Sequence, residues 1–293
     1  MQGLIVKIIS KEYTLKTEDG KIISASLAGK MRKYDHPVCG DIVEYEMISD
    51  RAIIQRYHKR KNYLIRPNLA NIDQVLIVMS TRDPEFSYEL CNRLIILVEF
   101  NDIKPLICVS KSDLADEKEI DEIKEYYELM GYEVFDTGLF DSASFLKDIL
   151  KDKLTVLCGQ SGVGKSTLLN KIDPTLALKT QAISKALNRG KHTTRHVELY
   201  GYHGGYLADT PGFSSIDLTS VDKDTLASHI TAFKPYIGNC RFLDCYHINE
   251  PDCAIKEAVK RGTIKESFYA TYLSLMDFLK NENLYGDRHR TLK

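Results

Sequence analysis

The chain has 293 residues, 43% hydrophobic and 28% charged, and its 40 Lys and Arg against 41 Asp and Glu leave a net charge of −1. That is the make-up of a soluble globular protein of about two domains with ample chain to bury a core. Near-neutral charge excludes recruitment of nucleic acid by bulk charge, so any RNA contact must come from local patches. No run approaches the roughly eighteen apolar residues of a membrane helix, and MQGLIVKIISKEYTL has neither a long apolar core nor a small-residue cleavage site. The expectation is a cytoplasmic, monomeric protein with no membrane contact. In a reducing compartment its seven cysteines argue for metal ligands or buried thiols rather than disulfides. Cys91, Cys108 and Cys158 sit in apolar runs and read as core.

Residues 1–68 alternate short β-rich runs with turn signals: Leu4 to Ile9, Tyr13 to Thr17, an Asp19-Gly20 turn, Ile22 to Leu27, Ile42 to Ile48 and Ala52 to Gln55. Five such runs without a helical pattern predict a small OB-like β-barrel, an architecture that often binds oligonucleotides. Arg56, His58, Lys59, Arg60, Lys61 and Arg66 follow, interleaved with Tyr57 and Tyr63. Cations beside stacking rings suit RNA, and a solvated linker accounts for them equally well.

From Ile72 strand and helix patterns alternate. Gln74 to Met79 and Pro105 to Val109 are continuous apolar runs of the kind buried on both faces of a parallel sheet. Tyr88 to Phe100 has helical spacing, Asp116 to Met130 is a charged helix closed by Gly131, Tyr132 to Phe135 is a strand, and a helix lies near Ser142 to Leu150. Residues 69–221 thus form a doubly wound α/β domain whose ligand belongs at the C-terminal strand ends. In residues 222–293 the strand signal fades. Helices are expected at Asp222 to Phe233, Pro251 to Gly262 and Ile264 to Asn281, with a frayed basic tail from Asp287 to Lys293.

The chemistry concentrates at Gly159 to Thr167, GQSGVGKST, which fits GxxxxGK(S/T) between the β-branched run Leu154 to Cys158 and a helical pattern opened by Leu168 and Leu169. Gly159, Gln160, Ser161, Gly162, Val163, Gly164, Lys165, Ser166 and Thr167 form the expected phosphate loop. Its glycines let backbone N–H groups and a helix N-terminus converge on one anion. Lys165 is expected to reach the β- and γ-phosphates, and Ser166 to hold Mg²⁺. After the strand ending at Val109 stand Ser110, Lys111, Ser112 and Asp113. A carboxylate at Asp113 could accept from N1–H and the exocyclic amine of guanine while the Lys111 stem packs along the ring. The stretch resembles the Asn-Lys-x-Asp motif of GTPases, with Ser110 in place of Asn. Asp209-Thr210-Pro211-Gly212 follows the strand Tyr206 to Ala208; the carboxylate suits a Mg²⁺-bound water and Gly212 an approach to the γ-phosphate. Between the two lies Arg189-Gly190-Lys191-His192-Thr193-Thr194-Arg195-His196. Thr193 or Thr194 could complete the Mg²⁺ shell, which makes 179–195 a switch candidate and Thr194, with Lys165, a catalytic one.

The order is inverted relative to ordinary GTPases, because the base-reading motif at 111–113 precedes the phosphate loop. This is the order of a circularly permuted GTPase. Downstream, Cys240, Cys245, His247 and Cys253 are three thiols and an imidazole at the close spacing of a closed, structural Zn²⁺ site. A barrel, a permuted GTPase with GQSGVGKS, GKHTTRH and DTPGF, and Cys-x4-Cys-x-His-x5-Cys together resemble the RsgA family (YjeQ, YloQ) of small ribosomal subunit biogenesis GTPases. The resemblance covers nearly the whole chain. It implies GTP hydrolysis stimulated by the small ribosomal subunit and its 16S rRNA, action late in subunit maturation, and release on conversion of GTP to GDP. Two other classes compete: a metabolic phosphate-loop kinase, opposed by DTPG and Lys111/Asp113, and a zinc-stabilised RNA-binding module, opposed by the intact phosphate loop. Many GTPases place a water-orienting Gln after Asp-x-x-Gly, where this chain has Phe213; His192, Thr194 and His196 are the candidates to replace it, and an obvious catalytic side chain is missing.

Overall fold

The computed structural model describes residues 1–9, 11–29, 31, 36–65, 67–137, 143–172, 197–209 and 221–290. The first five strands, β1 (Gln2–Ile9), β2 (Glu12–Thr17), β3 (Ile22–Leu27), β4 (Ile42–Ile48) and β5 (Arg51–Tyr57), close into a barrel in the order β1-β2-β3-β5-β4. Alternation drives it. In β2 the side chains of Tyr13 and Leu15 point inward beside Ile5, Val43, Tyr45 and Ile54, while Glu12 faces water. The predicted Asp-Gly turn joins β2 to β3, with Gly20 in the left-handed region at φ 83°. Pairing is antiparallel except between β3 and β5, where Ala25, Ser26 and Leu27 run parallel to Ala52, Ile53 and Ile54. Turn signals, which report neighbours in sequence, do not reveal such a parallel closure.

A two-strand ribbon, β6 (Tyr63–Leu64) and β7 (Leu69–Ala70), follows. A six-stranded sheet then has the order β10-β9-β8-β11-β13-β12, built from β8 (Gln74–Ser80), β9 (Lys104–Ser110), β10 (Val134–Asp136), β11 (Leu154–Cys158), β12 (Leu199–Tyr202) and β13 (Gly205–Asp209). β10 runs parallel to β9 and β11 parallel to β13, whereas β12 and β13 form an antiparallel hairpin. Every residue of β8, and every residue of β9 after Lys104, is buried, as their continuous apolar runs predict; β11 is buried throughout as well.

Contacts divide the chain into two compact units, 1–76 with 140–215 and 77–139 with 216–293. The first holds the barrel, β11 to β13, α3 (Ala143–Leu150) and α4 (Lys165–Ile172). The second holds β9, β10, α1 (Tyr88–Phe100), α2 (Glu117–Glu128) and the C-terminal helices α5 (Leu226–His229), α6 (Ala254–Lys260) and α7 (Glu266–Arg290). Ser87 caps α1 by accepting from Leu90 N–H, and Asp116 caps α2 by accepting from Glu119 N–H. Gly131, at φ 88°, closes α2 as predicted.

The helix expected at Asp222 to Phe233 shrinks to four residues. The reason is tertiary: Thr231 donates its N–H and its hydroxyl to Glu99 on α1 instead of continuing the helix. At the other end α7 continues through Arg290, beyond the predicted Asn281 and into the stretch expected to fray. Among the described residues no helix is long and apolar enough to cross a membrane.

Candidate nucleotide site and metal cluster

Strand β11 is buried from Leu154 to Cys158, and the loop leaves it at Gly159 with φ 137°, followed by Gly162 at 88° and Gly164 at 89°. Side-chain-bearing residues rarely adopt these angles, so the glycines are what allow the chain to turn straight into α4 at Lys165. Val163 is the buried anchor of the loop, while Ser161, Ser166 and Thr167 are exposed. The N–H groups of the first turn of α4 precede any intrahelical acceptor and carry the positive end of the helix dipole. Lys165 Nζ donates to the carbonyls of Gly159 at 2.7 Å and Gln160 at 2.6 Å, so the ammonium folds back over its own loop.

Register places a second predicted element beside this one. β13 runs parallel to β11 with Asp209 opposite Leu157, two positions before Gly159. Gln160 is half-buried at the loop's start. Thr193, Thr194, Thr210, Gly212, Phe213 and the whole of 179–195 lie outside the described residues.

At the end of β9 the base-reading candidates occupy a tight turn. Lys111 has φ 55°, and Ser112–Leu114 form a 3₁₀ turn. Ser110 Oγ donates to Met79 O at 3.3 Å, Thr81 N–H to Ser110 O at 3.1 Å, and Thr81 Oγ1 to Lys111 O at 2.6 Å. Ser112 donates to Asp136, and Lys111 Nζ to Asp83 O at 2.6 Å. With Ser110 in the place of Asn, the loop is therefore still tied down, through Thr81 and Asp136. Neither residue carries a sequence signal, because the adjacency of β8, β9 and β10 is a tertiary fact. Asp113 is exposed on this turn.

Among the described residues of the basic stretch after the barrel, Arg56, Arg60 and Lys61 have acidic partners within the chain. Arg60 donates through Nε and Nη2 to the two carboxylate oxygens of fully buried Asp41, both at 2.8 Å, with its guanidinium carbon 4.7 Å from the ring centroids of both Tyr57 and Tyr63. Arg56 pairs with Glu44 at 2.7 Å, and Lys61 with Asp73. The two interleaved tyrosines flank the Arg60 guanidinium.

Cys240, Cys245, His247 and Cys253 come together with all ligand atoms within 4.8 Å of one another. Cys240 Sγ lies 3.5 Å and Cys253 Sγ 3.4 Å from His247 Nδ1, and the two sulfurs are 3.9 Å apart. A tetrahedron with Zn–S near 2.3 Å and Zn–N near 2.0 Å has S···S edges of about 3.8 Å and S···N edges of about 3.5 Å. The donor set and its dimensions fit Zn²⁺. Burial pushes the Cys245 thiol up to about 12, raises Cys253 and lowers His247; a divalent cation is what makes thiolates favourable in such a setting. His247 adopts φ 59°. Glu250 accepts from the N–H groups of Tyr246 and Ile248 at 2.9 and 2.7 Å, and the hydroxyls of Tyr269 and Tyr272 on α7 donate to the carbonyls of His247 and Tyr246 at 2.6 and 2.8 Å. α7 is thus fastened to the knuckle that carries three of the four ligands. Cys253 is the N-cap of α6, which explains why that helix starts later than the predicted Pro251.

A Ser-Lys-Ser-Asp turn that matches the base-reading motif of GTPases and precedes the phosphate loop in sequence, on an α/β sheet preceded by a closed barrel and followed by a Cys3His cluster, is the arrangement of a circularly permuted GTPase. The family model described as RsgA GTPase matches residues 57–219. A relative named small ribosomal subunit biogenesis GTPase RsgA 1, from Listeria monocytogenes serotype 4b (strain F2365), is 43% identical over 286 residues, covering 96% of this chain and 98% of its own. One named small ribosomal subunit biogenesis GTPase RsgA, from Clostridium acetobutylicum (strain ATCC 824), is 41% identical over 288 residues, covering 97% and 100%. The crystal structure of YloQ, a circularly permuted GTPase, superposes with a TM-score of 0.80 at 36% identity, covering 96% of this chain and 95% of that one. YjeQ from Thermotoga maritima superposes at 0.79 with 32% identity, covering 95% and 98%. The chain belongs to the RsgA family of GTPases.

Proposed function

We propose that this protein is a GTP-driven timer of small ribosomal subunit biogenesis. It binds the small subunit through 16S rRNA late in maturation, hydrolyses GTP to GDP and phosphate, and leaves once the triphosphate is gone. The observation that carries this reading is the glycine-shaped loop between β11 and α4, standing beside Asp209. The partner is the one for which the relatives in Listeria and Clostridium are named.

In this reading the N–H groups of residues 159–167 cradle the phosphates, and Lys165 exchanges the carbonyls of Gly159 and Gln160 for the β- and γ-phosphates. Ser166 and Thr194 hold Mg²⁺, whose charge offsets that of the transferring phosphoryl group. Thr193, Asp209 and Gly212 serve the γ-phosphate side, and Ser110, Lys111 and Asp113 take the guanine. Residues 69–221 are the GTPase part. Residues 1–68 and 222–293 are the flanking parts that meet rRNA, the latter held by one structural Zn²⁺ on Cys240, Cys245, His247 and Cys253. The protein acts in the cytoplasm as a monomer. With Phe213 where an amide often orients water, turnover of the free protein is slow, and the subunit supplies what is missing.

Turnover of GTP and of ATP, each with and without purified small subunits over a salt series, tests this. GTP should be strongly preferred, subunits should raise its turnover, and salt should erode that rise as phosphate contacts weaken. Equal use of ATP, or equal rates with and without subunits, refutes it.

A further inference from the structure

β12 is the terminal strand of the six-stranded sheet, and an edge strand presents unpaired backbone N–H and C=O groups. The barrel meets that edge. β1 pairs with β4 from Gln2 to Leu4, and just beyond, its backbone is taken over by residues 39–41: Ile5 N–H donates to Asp41 O and Gly40 N–H to Ile5 O, both at 2.9 Å. Gly40 is confined there, since its φ is 86° and a Cβ on it would fall 2.1 Å from Ala70 O. A bulge lies between Ile5 and Lys7 in the pairing of β1 with β2. Bulges re-aim the residue that follows, and Lys7 makes an antiparallel bridge with Glu198, the residue before β12.

Side chains fasten the same junction. Lys7 Nζ stands 2.9 Å from Glu198 Oε2. The buried Cys39 thiol donates to Val197 O at 3.1 Å, and the Lys16 ammonium lies 5.2 Å from the centroid of the Tyr206 ring on β13. β12 is in turn paired with β13 from Leu199 opposite Ala208 to Tyr202 opposite Gly205, and β13 ends at Asp209.

We propose that Lys7, Cys39 and Glu198 are positioning residues that couple the barrel to the strand carrying Asp209, so that RNA held by the barrel raises GTP turnover by holding the β12–β13 hairpin in place. This rests on the reading of the small subunit as activator. None of the three touches the nucleotide loops described above; they act through the hairpin. Their loss should therefore lower the stimulated rate and leave GTP capture alone.

The test uses the full chain and purified small subunits, comparing Lys7→Glu, Glu198→Lys and the double charge swap. Each single variant should lower the subunit-stimulated kcat about fivefold, the factor to which one half-exposed ion pair amounts, with the free rate, the KM for GTP and subunit affinity unchanged. The double swap should recover most of the stimulation. Cys39→Val should show the same loss, and Cys39→Ser, which keeps a donor for Val197 O, should not; this pair of variants separates coupling from a general loosening of the barrel. Undiminished stimulation in the single variants, or a double swap as poor as either single, overturns the coupling alone. Absence of stimulation in the wild-type protein overturns the activator reading, and the coupling with it.

Discussion

Replacing Arg60 by Ala distinguishes a structural cation from one that faces RNA. In the structure its guanidinium makes two 2.8 Å hydrogen bonds to Asp41, a fully buried carboxylate that also accepts Val38 N–H at 2.8 Å. The Arg60 side chain itself is only 19% exposed. Arg60→Ala leaves the carboxylate buried and unpaired, a loss on the order of 3 kcal/mol. Removing the two tyrosine contacts adds about 1 kcal/mol. Against a total stability of roughly 5–15 kcal/mol for a domain, about 4 kcal/mol is a large fraction. It corresponds to roughly 8–16 °C in Tm for a cooperative unit of 150–250 residues. The chain has no tryptophan, so urea unfolding is best followed by far-ultraviolet circular dichroism and tyrosine fluorescence. Arg56→Ala is the control, because its side chain is 72% exposed where it meets Glu44 and exposed pairs contribute little. If Arg60→Ala shifts stability no more than Arg56→Ala, the burial argument fails. A lowered salt dependence of subunit binding with unchanged stability would place Arg60 on RNA instead.

Asp113→Asn should weaken GTP binding and shift preference toward xanthosine triphosphate, since it inverts the pattern offered to the base; unchanged GTP affinity removes Asp113 from the site. Lys165→Ala should abolish turnover with Tm nearly unchanged, because the ammonium bonds to loop carbonyls at Gly159 and Gln160 and packs in no core; near-normal turnover shows the loop to be misread. Cys245→Ser should lower the zinc content and speed hydrogen exchange in the knuckle and in the part of α7 fastened by Tyr269 and Tyr272, while GTP binding persists; a wild-type protein without zinc by elemental analysis sinks this. Burial raises the Glu99 carboxyl above its ordinary range, so its ionisation opposes folding: the stability tied to the neutral acid is complete below the unfolded value of 4.5 and is lost as pH rises through the folded one. Wild type should therefore gain stability relative to Glu99→Gln as pH falls from 7 toward 5, other groups titrating alike in both; a constant difference across that range refutes the assignment.

What was legible in the sequence is what is local. The phosphate loop needs only β11, three glycines and the start of α4, all within a dozen positions, and the metal cluster needs four ligands within fourteen positions. The barrel showed itself through alternation and an Asp-Gly turn. What stayed hidden depends on a distant residue. The pairing of Arg60 with Asp41, nineteen residues away, leaves no trace because a buried carboxylate carries no mark of burial in the sequence. The helix expected through Phe233 ends early because Glu99, 132 positions upstream, takes the hydrogen bonds of Thr231. The junction of β1 with Glu198 combines a backbone bridge, which leaves no residue-type signature, with one ion pair between residues far apart in sequence. The same reasoning bears on function. The nucleotide motifs are legible because their chemistry demands particular residues at fixed spacing, whereas the parts that connect them to a partner can be built from a bulge, an edge strand and one ordinary ion pair. Coupling elements of that kind become visible only when the topology brings Lys7, Cys39 and Glu198 to a single sheet edge.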